Sequence, residues 1–145
     1  ALMALPWHYS YGLSVLHTHL LAGAALVLSP HRVDNAAFWR LAKGQGITTL
    51  ALVPTQFDLI EKHDFVHELP KTLRYLTCAG GRLQPARAAL FAKICPLVLN
   101  YGATEASPRM AWLPPEDFAA FPDSIGRAIP GGLRRPGIGC GDSSG

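Results

Sequence analysis

Within five residues, Tyr101 to Glu105, the sequence supplies an aromatic ring, a flexible glycine, a hydroxyl and a carboxylate, in the run Asn100-Tyr101-Gly102-Ala103-Thr104-Glu105. A ring can stack on a base, a hydroxyl can bond a phosphate oxygen, and a carboxylate can hold Mg²⁺. The preceding PLVLN (96–100) reads as a short buried strand. The reactive groups therefore leave the C-terminal end of a strand, where open α/β sheets place their ligands. That chemistry points to a nucleotide site.

The elements that must position these groups follow a simple alternation. Apolar runs recur at near-regular intervals: ALVL (25–28), ITTLALV (47–53), LRYLTC (73–78) and PLVLN. Helix signals lie between them. Asn35 is a good N-cap before AAFWRLAK, and Gly44 stands where a helix ends in a left-handed residue. Thr55 and Asp58 have capping-box spacing at the head of TQFDLIEK, and Pro85 suits the first turn of PARAALFAK. Upstream, residues 12–22 form another expected helix, with Leu13, Leu16, Leu20 and Leu21 on one face. The order predicts an α/β fold whose mostly parallel sheet is covered by helices. After Ser107 the chain is rich in Pro and Gly and is expected to be loop with short strands, and residues 133–145, which lack a hydrophobic period, are expected to be disordered.

At 145 residues the chain is one ordinary domain, and its low charged fraction, 16%, favours strands buried on both faces. A net charge of +3 without any basic cluster argues against a nucleic-acid partner. Three widely spaced cysteines, Cys78, Cys95 and Cys140, suit reduced thiols in a cytoplasmic protein. The most apolar stretch (12–28) is broken by His17, Thr18, His19 and Gly23, short of the roughly 18 uninterrupted residues of a membrane span.

Other features carry less. Gly80 and Gly81 follow LRYLTC and let backbone approach a ligand closely, although a glycine pair alone reads as a tight turn. Val53 and Pro54 mark a strand end before a helix. His17 and His19, two apart, point to different faces of a helix, which disfavours a metal pair. His31, His63 and His67 are expected on solvated loops, and Asp64 and Glu68 on a solvated face. The terminal GDSSG lacks the partners of a serine protease, and no GxGxxG follows a strand.

Taken in order, four motifs resemble those of the adenylate-forming superfamily of acyl-CoA synthetases, adenylation domains and luciferases. LPWHYSYGLSVLHTHLLAGAALVL is similar to the segment around the acyl-pocket gate, CAGGRL to the glycine loop, NYGATEAS to the YGxTE motif, and SIGRAIPGG to the segment closing the large domain. The resemblance covers residues 5–132 and implies a partial adenylation domain over 1–132. It implies that Tyr101 stacks on adenine, with Gly80, Gly81, Arg82, Asn100 and Gly102 around it. Thr104 would bond the α-phosphate and Glu105 would hold Mg²⁺. Tyr9, Gly12, Val53 and Pro54 would border the acyl pocket. The family's gate histidine falls on Tyr9, not on His8.

The implied chemistry has two steps. A substrate carboxylate attacks ATP to give an acyl-adenylate and pyrophosphate, and a thiol of CoA or a carrier protein then takes the acyl group. The family's phosphate loop would precede Ala1. A ribose-binding TGD aspartate would follow Gly132, where Asp142 does not stand in that motif, and the C-terminal domain with the catalytic lysine lies beyond. The chain thus reads as a central slice of the large domain, expected to adenylate poorly by itself. An inactive remnant and a plain α/β binding domain are the alternatives.

Overall fold

The computed structural model describes residues 1–130. Residues 133–145, Cys140, Asp142, the GDSSG terminus and the last two glycines of SIGRAIPGG lie outside them.

The chain opens with β1 (Leu2–Met3), then α1 (Ser10–Leu21), β2 (Val27–Leu28), α2 (Ala36–Gly44), β3 (Thr49–Leu52) and α3 (Pro54–Lys62). A 3₁₀ turn at Phe65–Glu68 leads to β4 (Tyr75–Cys78), α4 (Pro85–Ala92) and β5 (Leu97–Ala103). A hairpin to β6 (Ser107–Leu113), the short α5 (Pro115–Phe118) and β7 (Arg127–Ala128) complete the described chain. The strands form one sheet in the order β2-β1-β3-β4-β5-β6-β7. The first five in that order pair in parallel, and β6 and β7 add antiparallel. The expected α/β class and mostly parallel sheet are what the chain adopts.

Strand alternation divides the core in two. Leu50 and Leu52, Leu76 and Cys78, and Leu97 pack against Phe38 and Trp39 of α2, Phe57 and Ile60 of α3, and Phe91 of α4. Edge-on rings of Phe57 and Phe91, centroids 4.8 Å apart, lock α3 to α4. The opposite face carries smaller and more polar side chains, and α1 covers it through Tyr11 and Val15 against Met3, Leu5, Ala51 and Ala79.

Several local expectations are corrected. α1 turns most of its leucine stripe outward: Tyr11, Gly12 and Val15 are buried and Leu16 packs half-buried beside them, whereas Leu13 is exposed, Leu20 is 62% exposed and Leu21 88%. The helix is apolar around most of its circumference, so the stripe selects no face. Two contacts do. A Cβ at Gly12 would lie 2.2 Å from the Pro6 carbonyl oxygen, and the Tyr11 hydroxyl reaches the Thr77 hydroxyl at 2.6 Å. α2 runs through Gly44, and the left-handed residue is Gly46, φ +57°. α3 starts at Pro54, so Thr55 caps nothing. Gln56 supplies the cap instead, its Oε1 accepting from the Val53 N–H at 3.0 Å. Asn35 caps α2 as expected, accepting from the Ala37 N–H at 2.9 Å, and Pro85 begins α4. β6, which begins at Ser107, is a seven-residue strand that contains Pro108, more regular than the loop with short strands expected for this region.

Candidate functional site

The glycine loop takes its shape from what lies beneath it. Gly80 has φ +82°, and a Cβ there would stand 3.3 Å from Val53 Cγ1. A Cβ at Gly81 would stand 3.3 Å from Pro54 Cγ. Alanine at either position pushes against the head of α3, so the loop after β4 lies directly on the loop after β3. Two of the proposed acyl-pocket residues, Val53 and Pro54, thus support two of the proposed nucleotide residues.

The neighbouring strand carries the next group. β5 continues to Ala103, so Tyr101 and Gly102 belong to the strand and do not follow it. Only Thr104, Glu105 and Ala106 form the turn, closed by the Ala106 N–H donating to the Ala103 carbonyl at 3.1 Å. The strand is longer than PLVLN because β6 pairs with it and supplies backbone partners for the extra residues. Its register shifts between Tyr101 and Ala103. Gly102 permits that irregularity, since a Cβ would fall 2.3 Å from the Pro108 carbonyl oxygen.

These pieces enclose a cavity of about 470 Å³. Gly80, Gly81 and Arg82 form one wall, and Asn100, Tyr101 and Gly102 another. The six residues expected around a nucleotide base therefore stand together. The third wall, Pro122 to Ile125, is one that sequence reasoning did not assign. Its signal was the SIG of SIGRAIPGG. Gly126 has φ +82°, and a Cβ there would strike the Trp112 carbonyl oxygen at 2.0 Å, so this turn is pressed onto β6. Arg82 and Asp123 pair across the mouth. Both are largely exposed, so the pair contributes little to stability. Tyr101 is 46% exposed, leaving area for a stacked partner.

Thr104 and Glu105 lie outside this cavity, in the exposed turn. The Thr104 hydroxyl is 3.2 Å from that of Ser10, which begins α1. Tyr9, 61% exposed, precedes Ser10 with its ring 4.5 Å from that of His8. The hairpin turn and the start of α1 therefore meet, although 94 residues separate them in sequence. Gly12 is buried and serves the approach of α1 to Pro6. Glu105 is the sole carboxylate of the turn. Among the described residues no group of three or more His, Cys, Asp or Glu side chains could hold a metal ion. A lone carboxylate fits Mg²⁺ in the form that substrate phosphates and water mostly ligate.

A second cavity, of about 590 Å³, lies between α1 and the face of the sheet that bears Thr49, Tyr75, Thr77, Val98 and Asn100. Asn100 lines both cavities. The His19 ring crosses from α1 to the sheet, with Nδ1 2.8 Å from the Val15 carbonyl oxygen and Nε2 3.2 Å from the Thr49 hydroxyl. The carbonyl can only accept, so Nδ1 carries the proton and Nε2 accepts from Thr49 when the ring is neutral. Burial pushes the Tyr11 hydroxyl up to about 12, and it pushes the Cys78 thiol up to about 12 as well. Both stay neutral near pH 7. His31, His63 and His67 are exposed as expected, and Glu68 pairs with Lys43 at 2.5 Å.

A mostly parallel sheet with loops gathered at the C-terminal ends of β3, β4 and β5, and a YGxTE turn beside them, defines an α/β domain of open-sheet type. The chain belongs to the AMP-binding enzyme family, whose pattern matches residues 1–134. It is 34% identical over 119 residues to 2-succinylbenzoate–CoA ligase of Bacillus licheniformis, covering 79% of this chain and 24% of that protein. It is 33% identical over 133 residues to indoleacetate–CoA ligase of Aromatoleum aromaticum, covering 89% of this chain and 26% of that protein. The chain thus spans about a quarter of the length of these curated relatives. In fold it is similar to the inhibitor-bound N-terminal domain of FACL13 from Mycobacterium tuberculosis, with TM-score 0.77, 22% identity, and coverage of 88% of this chain and 32% of that one. It is likewise similar to o-succinylbenzoate CoA synthetase of Bacillus subtilis in complex with ATP and magnesium ion, with TM-score 0.74, 22% identity, and coverage of 88% and 26%. No helix among the described residues is long and apolar enough to cross a membrane.

Proposed function

We propose that this chain is the nucleotide-binding part of an ATP-dependent carboxylic acid ligase that forms an acyl-adenylate and passes the acyl group to the thiol of CoA. The observation that carries the reading is the cavity between the glycine loop and β5, which gathers Gly80, Gly81, Arg82, Asn100, Tyr101 and Gly102 at the strand ends. Family membership and the two CoA ligases among its relatives support the reaction class.

In this reading the exposed Tyr101 face stacks on adenine, a contact that tolerates a partly solvated ring. Gly80 and Gly81 leave backbone, not side chain, against the base. The Thr104 hydroxyl exchanges its Ser10 partner for an oxygen of the α-phosphate. Glu105 is the residue that would hold Mg²⁺, which supplies charge neutralisation at the phosphates when bound. The acid lies in the second cavity, between α1 and the sheet, which Tyr9, Gly12, Val53 and Pro54 do not line, with its carboxylate toward Thr104. Positioning and charge neutralisation account for the first step, in which the acid oxygen bonds to the α-phosphorus and pyrophosphate leaves.

The test is pyrophosphate exchange into ATP by the full-length protein that carries this segment, supplied with a panel of acids. Glu105→Gln keeps the shape and removes the charge, and should lower exchange at limiting Mg²⁺ by at least about tenfold. Exchange equal to that of the unmodified protein would contradict the role given to Glu105.

A further inference from the structure

The cavity behind α1 contains a cation without a counter-ion. Arg109, on β6, lines it, and the Arg109 Nε is buried with no hydrogen-bond partner. Among the described residues Arg109 forms no ion pair, and no Asp or Glu lines the cavity. The internal group nearest to serving as its anion is the Tyr11 hydroxyl, whose ionised form Arg109 favours. Burial outweighs that attraction, holds the phenol neutral and points it at Thr77. A buried guanidinium donor left unpaired is costly, and a carboxylate is the partner whose geometry its fork matches. The surrounding wall is mixed in character. Val15, Ala51 and Val98 offer apolar surface, while Thr49, Thr77 and Asn100 offer short polar groups.

Resting on the ligase reading above, we propose that the acid activated by this protein carries a second anionic group, which Arg109 receives inside the cavity between α1 and the sheet. The substrate class is then a dicarboxylic acid: one carboxylate lies at Thr104 for adenylation, and an apolar linker leads to the other at Arg109. Arg109 acts as a specificity-determining residue and takes no part in bond making.

The experiment is pyrophosphate exchange by the full-length protein with glutarate, adipate, suberate and sebacate, each against the monocarboxylate of equal length. The unmodified protein should favour the best diacid over its monoacid partner in kcat/KM by on the order of ten- to a hundredfold, the range of a charge-assisted hydrogen bond. Arg109→Met should collapse that ratio toward one, and Arg109→Lys should retain part of it. A ratio at or below one in the unmodified protein overturns the proposal without reference to any variant, as does a ratio that Arg109→Met leaves intact. Absence of exchange with every acid removes the ligase reading instead. Equilibrium dialysis of radiolabelled sebacate then judges the cavity separately: retention lost in Arg109→Met supports the anion site, and equal retention overturns it.

Discussion

Gly80 shows how closely the site depends on single atoms. Its φ of +82° is a conformation that side-chain-bearing residues avoid, and a Cβ there would stand only 3.3 Å from Val53 Cγ1, which would have to give way slightly. Gly80→Ala should destabilise the protein by about 1–2 kcal/mol, a cost seen as a lower Tm, because both the backbone and the packing object. Tyr101 makes a different demand. It is half-exposed, so Tyr101→Ala should leave Tm nearly unchanged while raising the KM for ATP about tenfold or more, the worth of a base–aromatic stack. An unchanged KM would remove Tyr101 from the adenine site. The pairing of these two variants separates residues that shape the cavity from residues that would touch its occupant.

At the scale of elements, Gln56 ties the head of α3 to the chain just past β1. Its Oε1 caps the head of α3, and its Nε2 donates to the Ala4 carbonyl just past β1 at 2.8 Å. Gln56→Leu keeps the volume and removes both bonds, so thermal or urea unfolding should register a loss of about 1–3 kcal/mol. This cap was not legible in the sequence, because Thr55 and Asp58 offered the familiar spacing two residues too late. Pro54, fixed in φ and free of its N–H, starts the helix first. β2, β3, β4 and β5 were legible because each lies in a predominantly apolar run, whereas β1 is two residues long and depends on tertiary pairing alone. That the glycine loop follows β4 and the Thr104–Glu105 turn follows β5 was legible from the apolar runs that precede them. Arg109 and the Pro122–Ile125 wall were not, since their meaning arises from contacts made across the sheet. The leucines of α1 misled for a related reason: hydrophobic periodicity reports an apolar stripe, and the close approach at Gly12 decided the helix's rotation.

Across the whole molecule, the two faces of the sheet differ in purpose. One is closed by α2, α3 and α4 around large aromatic side chains, and the other is left with hydroxyls, an amide and a guanidinium beneath one helix. Tyr11 and Cys78 tie stability to pH. Both hold their protons more tightly when folded than when unfolded, so the unfolded chain ionises first as pH rises. Their contribution is complete below about pH 9, the usual thiol value, and declines as pH approaches 12. Urea midpoints should therefore fall through that window. Tyr11→Phe should flatten the part of the decline above pH 10, the usual tyrosine value, and an unaltered slope would argue against a buried phenol.

Asn100 belongs to the wall of both cavities. Its amide has two orientations of unlike polarity, oxygen one way and NH₂ the other, and can offer each chamber only what the other does not take. An occupant that fixes the amide from one side sets the hydrogen-bond donor or acceptor seen from the other. The two substrates would then be thermodynamically linked through a single side chain, each altering the affinity for the other by the same factor. Replacing that amide should change the coupling between them more than it changes either affinity alone.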